Sequence, residues 1–522
     1  MTRFMDARTD DVGETLDASI CIIGAGAAGI TLARELSKTI AGVLLIEAGD
    51  LQIDGETQGL FAGRQIGLRY HNLISCRLRY FGGTTNHWSG YCRANDPIDY
   101  EGRAELNLPR WPVDGQELGP YIKEAGATLN VDSVHFDPRA TLNDRGLNSE
   151  TLAEDQSSIL QTKIFQLSNR LRLGPLYHDV LSEQRNLRTV LNLNLTHIQL
   201  AAHGRHICHI ECKTLNDKTV RVTAKTFVLC CHAIENARQL LIANDVVNTG
   251  IGNAGDHVGR YFMDHIYVRA SNWIPSAFFP RIYDRQFASK TNLNANISFT
   301  DSHIRGQSLL QYYCRFNPVY ISNETFDALR SVQAGAFRPG DLSFLRDVGR
   351  IAGEAVGSAR LMLSRTGWAY AAPDYFSMEH RLEQAPNPLS RILISDRKDA
   401  LATPIADLDW RVTEDDLRSF RVGQAEVARE LAALGWGRFQ EEEITMDLVK
   451  ERIVGHYHQI GTTRMSDDPR DGVVDRDCKV HGVENLYIGG SSVFPSAGYS
   501  GPTMMIIAFA LRLSTHLKQK FV

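Results

Sequence analysis

Residues 24–29 read GAGAAG, and Glu47 follows at the end of the next apolar run. Three glycines at that spacing, between a strand and a helix, each have a physical reason. Gly24 makes the tight turn, Gly26 lets the backbone approach a pyrophosphate, and Gly29 lets the helix pack closely. The helix N-terminus adds N–H donors and partial positive charge for phosphate, and Glu47 is placed to hold the hydroxyls of an adenosine ribose. A glycine trio alone also occurs as an ordinary strand-to-helix turn; the acid at this distance favours a dinucleotide site. Because the fingerprint lies within the first thirty residues and its domain resumes late in the chain, FAD as a fixed prosthetic group is favoured over exchangeable NAD. A second group, His206, Cys208, His209 and Cys212 in HICHIECK, has metal-ligand residue types. Its alternation and the neighbouring VRVTAKTFVLCC favour paired strands instead, and no metal is expected.

These residues need elements to hold them. ASICII (18–23), the glycine turn, AAGITLARELSK (27–38) and VLLIEAG (43–49) predict a β-α-β unit. Its helix lays Ile30, Leu32, Ala33 and Leu36 largely along one face, as packing on a sheet requires. Residues 51–100 are loop-rich around FGGTTNHWSGY, and strand patterns return in LRTVLNLNLTHIQLA (187–201) and KTFVLCC (225–231), before the helix IENARQLLIAN (234–244). Near the C-terminus, SGPT leads into the apolar run 504–513, a core helix with Pro502 where a helix start tolerates proline. The expected organisation is an FAD-binding part over 1–100, lid and substrate-domain elements over 101–186, a second FAD-binding part over 187–270, a substrate-binding domain over 271–450, and a third FAD-binding part over 451–522.

The bulk composition narrows the partners. A chain of 522 residues, 43% hydrophobic, buries a large core and divides into two or three domains. Its 61 acids and 56 bases are evenly spread, without the basic stripe that nucleic acid or anionic lipid demands. Nine scattered cysteines suit a reduced compartment, and the acidic N-terminal stretch is unlike a signal peptide. A cytoplasmic enzyme is expected. The run 504–513 is too short to span a bilayer, so direct membrane insertion is not expected.

GGTTNHW (82–88), DHVGRYFMDH (256–265), HYHQIGTTRM (456–465) and NLYIGGSSVFPSAGYSGPT (485–503) together resemble the glucose-methanol-choline (GMC) oxidoreductases, most nearly their pyranose-oxidase-like and glycoside-oxidising members. Matches run from 18 to 513, with 270–450 carrying no recognisable motif. The resemblance implies an α/β FAD-binding domain of the Rossmann type and an α+β substrate domain on an antiparallel sheet. It further implies oxidation of an alcohol, a sugar or glycoside secondary hydroxyl, by hydride transfer to flavin N5. His458 matches the family's catalytic base, and the residue type suits that role, because a neutral histidine, with an ordinary pKa of about 6.5, takes the hydroxyl proton as hydride leaves. His456 shares its side if the stretch is extended. His87 matches the histidine that pyranose-oxidase-like members attach to the flavin; other members hold FAD without a bond, so the link stays open. Ser89 matches a position near flavin N5, Val190 and Leu191 lend backbone groups to the adenine, and Gly83, Asn86, Gly490, Pro502 and Thr503 border the cofactor. The last helix, by the same resemblance, aims its N-terminus at the flavin pyrimidine, where free N–H groups stabilise the negative charge of reduced flavin.

One position departs from the pattern. Most of the family has Asn or His in the turn before the last helix, reading ANPT where this chain reads SGPT, which puts Gly501 at the second catalytic position. The missing hydrogen bond is worth about 1.5–3 kcal/mol when one partner is charged, or roughly ten- to two-hundredfold in rate. Three readings follow. A neighbour, among Tyr499, Ser500, Tyr457 and His456, or a water supplies the contact; or the space admits a bulkier substrate; or the flavoprotein's altered site catalyses an isomerisation, a cyclisation or another tailoring step in secondary metabolism. The expected partners are a small alcohol or sugar and an electron acceptor, either oxygen or a quinone or cytochrome, with the oligomeric state open.

Overall fold

The apolar runs that open the chain become the middle of a sheet. Thr15–Ile23 and Val43–Ile46 pair in parallel, Cys21 opposite Leu44 and Ile23 opposite Ile46. Val43–Ile46 is buried at every residue, as befits a parallel strand covered on both faces. Leu187–Leu191 and then Phe4–Asp6 extend the sheet on one side. Thr219–Leu229 extends it on the other, and Leu486–Ile488 returns from near the C-terminus to pair with Phe227, Val228 and Leu229. Asn194–Leu200 and Ile207–Lys213 complete it as an antiparallel meander, so HICHIECK is sheet. The helix Ala27–Leu36 follows the glycine turn, and the closing helix Thr503–Phe521 packs on it and on Gly115–Leu129.

A second, antiparallel sheet stands beyond the first. In the computed structural model, which describes residues 4–132, 136–170, 172–284, 291–319, 349, 373–440 and 450–521, its strand order is Gly437–Gln440, Ile266–Pro275, Tyr375–Leu382, Tyr312–Val319, Leu293–Phe299, Leu160–Leu167, Tyr91–Cys92. In the paired strands Tyr312–Val319 and Tyr375–Leu382, alternate residues share a face. Tyr312, Cys314, Phe316, Phe376, Met378, His380 and Leu382 are all buried, on the side where the helix Glu414–Ala433 packs. Thr413 starts that helix with a capping box: the Thr413 hydroxyl accepts from the Asp416 N–H, and the Asp416 carboxylate accepts from the Thr413 N–H. The architecture is thus a Rossmann-type α/β layer joined to an α+β layer. Of the stretch 271–450, residues 285–290, 320–348, 350–372 and 441–449 lie outside the described residues. The antiparallel sheet takes strands from several of the expected parts: Tyr91–Cys92 from 1–100, Leu160–Leu167 from 101–186, and Ile266–Pro275 from across the expected boundary at 270. All nine cysteines are free. Among the described residues no helix is long and apolar enough to cross a membrane.

Candidate active site

Between the two sheets lies a cavity of about 530 Å³ that runs from the glycine turn to the loop carrying His456 and His458. At the first end, backbone geometry does the selecting. Gly24 stands at φ +102°, where a Cβ would come within 2.5 Å of the Cys230 carbonyl oxygen, and a Cβ on Gly29 would come within 1.8 Å of the Gly24 carbonyl oxygen. Gly26 is the opposite case: nothing lies within 4 Å of its Cβ position. Open space at Gly26 and closed space at its two partners are what a turn facing a diphosphate requires. The helix Ala27–Leu36 starts at Gly26 with no side-chain cap, leaving its first N–H groups for an anion. Glu47 is buried, its carboxylate accepting from the Ala25 N–H at 2.7 Å and the Gly49 N–H at 2.9 Å. Burial pushes Glu47 up, opposed by those hydrogen bonds, and its remaining lone pairs suit ribose hydroxyls. The cradle fits the adenosine diphosphate half of FAD. Beside it, the short turn Gly83–Asn86 rests on the glycine loop through the Gly82 N–H, which donates to the Ala25 carbonyl at 2.9 Å, and delivers exposed His87 and Ser89 to the cavity.

At the other end the organising group is a buried carboxylate. Asp264 accepts from the backbone N–H of His456 at 2.9 Å and of His458 at 3.0 Å, and from the Tyr70 hydroxyl, which in turn accepts from Gln459 Nε2 at 2.8 Å. Burial pushes Asp264 up to about 6 against those donors. This double grip folds the loop about Tyr457, at φ +63°. Tyr457 turns outward, 49% exposed and stacked on His71, while the His456 and His458 rings turn inward, 4.9 Å apart. The shared side expected of the two histidines is therefore reached in a bent loop rather than an extended strand.

The hydrogen bonds fix which nitrogen of His458 is free. His265 Nε2 lies 3.2 Å from the Ala497 carbonyl oxygen and His265 Nδ1 lies 2.6 Å from His458 Nδ1. A carbonyl only accepts, so His265 is protonated on Nε2, its Nδ1 accepts, and His458 donates from Nδ1. His458 Nε2 keeps its lone pair and faces the gap at Gly501, where a Cβ would sit 3.6 Å away in ordinary contact. Burial, then His265, His456 and Arg381, hold His458 well below the usual histidine value, and burial brings His265 to about 4. Asp264, His265 and His458 bring ligand-type atoms within 4.8 Å of one another, but the carboxylate and His265 Nδ1 already accept hydrogen bonds. The cluster is built to place a proton.

Of the residues expected at the cofactor, Gly24, Gly26, Glu47, Gly83, His87, Ser89, Gly490, Pro502 and Thr503 line the cavity. Gly29 shapes the turn from behind, and Asn86 braces it by donating to the Phe81 carbonyl at 2.8 Å. Val190 and Leu191 do not line it. Their carbonyls are taken by the Glu47 and Ala7 N–H groups, and Leu193 and Leu195, past the end of their strand, line the cavity instead. Among the substitutes for the missing side chain, Tyr499 is buried with its hydroxyl between Arg93 Nε and Asp96, at 2.6 and 2.7 Å. Ser500 is buried beside the Ala94 carbonyl. Neither lines the cavity, and Tyr457 is held at the rim, which leaves His456 beside the base. The motif reading gave Asp264 and His265 no role, and it missed Tyr313, Arg315 and Arg381, which also line the cavity. Their signal was the period-two alternation of YYCRF and FSMEHRL, polar toward the cavity and apolar toward the helix.

Residues 386–510 match the sequence model of the GMC oxidoreductases. The chain is 24% identical to the fructose dehydrogenase large subunit of Gluconobacter japonicus, over 96% of this chain and 97% of that one. It is 29% identical to versicolorin B synthase of Aspergillus parasiticus over 28% of this chain and 25% of that one. Its fold is similar to that of pyridoxine 4-oxidase from Mesorbium loti, with a TM-score of 0.57 at 17% identity, covering 96% of this chain and 99% of that one.

Proposed function

We propose that this chain, whose residues 386–510 match the GMC oxidoreductase model, is an FAD-dependent oxidoreductase acting on CH–OH groups, and that it oxidises a secondary hydroxyl of a sugar or glycoside with His458 as the base. The observation that supports this reading is the free Nε2 lone pair of His458, aimed into the cavity that begins at the glycine turn. When bound, FAD supplies the hydride acceptor. His458 Nε2 takes the hydroxyl proton, and the positive charge that results is shared through the Nδ1–H donated to His265, whose own Nε2–H is anchored on Ala497. His456 is the side chain placed to hold the substrate oxygen where Gly501 offers none. The Asp264 grip on both backbone N–H groups keeps the two rings in register without touching substrate.

Anaerobic mixing with a panel of sugars and glycosides tests the proposal: bleaching of the flavin absorbance is expected, and none across the panel rules it out. His87 is exposed to the cavity at the position read for a flavin link. Acid precipitation decides that point, since colour left wholly in the supernatant means no bond. A second reading is a cyclisation or isomerisation without net oxidation, favoured by the absence of a side chain at Gly501 beside His458 and by the similarity to a synthase. Its mark is product formed without bleaching.

A further inference from the structure

We propose that the substrate carries an anionic oxygen group, a carboxylate or a phosphate, bound by Arg315 and Arg381 on the antiparallel sheet above the base. This rests on the alcohol-oxidation reading and specifies its substrate class. In the pairing of Tyr312–Val319 with Tyr375–Leu382, Tyr313 stands opposite Arg381 and Arg315 opposite Glu379. These residues share the face turned from the helix, and both arginines line the cavity with His456 and His458.

Arg315 is 5% exposed. Its hydrogen bond among the described residues is a long one, Nε to Asn296 Oδ1 at 3.4 Å, with the Tyr91 ring 4.9 Å from the guanidinium. No carboxylate of the described residues stands within ion-pair distance of it. Glu379 is already engaged: it accepts from the Tyr267 hydroxyl at 2.9 Å, Arg269 at 3.1 Å and Arg381 at 3.4 Å. Arg381 Nε is buried without a partner. Arg269, Arg315 and Arg381 thus gather about one carboxylate, and burial together with Arg381 lowers the proton affinity of Arg315. Three guanidinium groups about one carboxylate leave positive charge under-compensated, which is costly when buried, and such a group lining a cavity is complementary to an anion. The planar fork of a guanidinium matches a carboxylate or a phosphate in particular. The diphosphate of the dinucleotide is provided for at Gly26, at the far end.

The test uses the FAD-loaded enzyme. Acetate and inorganic phosphate are titrated against the flavin spectrum, and glucose, gluconate and glucose 6-phosphate are compared as anaerobic reductants. A saturable response to one anion is expected, with kcat/KM for the matching acid at least about a hundredfold above glucose. A carboxylate subsite favours gluconate; a phosphate subsite favours glucose 6-phosphate. Arg315→Met should reduce that preference to about tenfold or less without lowering the melting temperature, because Arg269 and Arg381 still hydrogen-bond Glu379 and a buried positive charge in excess is removed. Equal rates for the three sugars with no response to either anion overturn the subsite while leaving alcohol oxidation in place. Anion binding that Arg315→Met abolishes, without bleaching by any alcohol, supports the subsite and overturns alcohol oxidation. A lower melting temperature with anion binding retained makes Arg315 a structural cation and overturns the proposal.

Discussion

The two ends of the cavity are built by opposite means. At the nucleotide end the selecting atoms are backbone, and what matters is where side chains are absent: closed space at Gly24 and Gly29, open space at Gly26. At the catalytic end the selecting atoms are side chains, His265, His456 and His458, steered by the buried Asp264 and by a carbonyl at Ala497. A backbone site has no slack, because an added atom at Gly24 or Gly29 must displace main chain and one at Gly26 takes the space left for the ligand. A side-chain network loses function in steps, one hydrogen bond at a time. The contrast predicts all-or-none effects at one end and graded effects at the other.

The sharpest break is at Gly29. Gly29→Ala places a methyl 1.8 Å from the Gly24 carbonyl oxygen, so the turn must open. The variant should purify without flavin colour and with a lowered melting temperature. Gly26→Ala, with nothing within 4 Å of the new methyl, should also lose FAD yet keep the melting temperature of the apoprotein, because it blocks only the ligand's approach. If both variants retain full flavin, the backbone account of this end is wrong. At the other end, His458→Ala should keep its FAD and slow anaerobic bleaching by about 10²- to 10⁴-fold, the usual worth of a positioned base. An unchanged bleaching rate would remove His458 from the mechanism.

The same contrast explains what the sequence disclosed. The nucleotide end is contiguous: a turn, a helix and an acid at the end of the next strand lie within 24–47, so spacing alone specifies them. The expectation of backbone groups at Val190 and Leu191 meets strand pairing that engages their carbonyls, and Leu193 and Leu195, just past that strand, line the cavity. The catalytic end draws on segments hundreds of residues apart. His458 was singled out by its motif, but its partner His265, 193 residues away, is brought to it by a hydrogen bond that no local pattern encodes. Arg315 and Arg381 lie in the motif-free middle, and alternation in two strands shows their face only once the strands are paired.

His265 measures the first graded step. His265→Leu removes the acceptor of the His458 Nδ1–H and frees the ring to present either nitrogen, the kind of tautomer loss that cripples a positioned imidazole. With no carboxylate in the relay the cost is smaller, about ten- to a hundredfold in bleaching rate, with FAD content unchanged. His265→Asn, which offers an amide oxygen as acceptor, should recover part of it. A purely packing role would give no such recovery. Gly501 measures the next step. Its Cβ position, in ordinary contact 3.6 Å from the His458 ring, admits Gly501→Asn without moving the backbone, and one added neutral hydrogen bond to substrate should raise kcat/KM by about two- to tenfold. A loss of activity with intact FAD would instead show that the substrate itself fills that space.

The smallest effect separates the surroundings of the base from the base itself. Histidine ordinarily titrates near 6.5, so an unperturbed base would be about half protonated at that pH and kcat/KM would stand near half its plateau. Here burial acts first, and His265, His456 and Arg381 act in the same direction, all disfavouring the imidazolium of His458. A lowered pKa means the lone pair survives to lower pH, so kcat/KM for a neutral substrate should stay flat through 6.5 and fall only below it. Arg381→Met deletes one of those positive neighbours and should move the acid limb upward, while a Tyr457→Phe exchange at the solvent-facing rim, 49% exposed, should not. A wild-type limb at or above 6.5 would mean that solvent reaches the ring in the FAD-loaded enzyme, and the distinction between a dry catalytic end and an open rim would fail there.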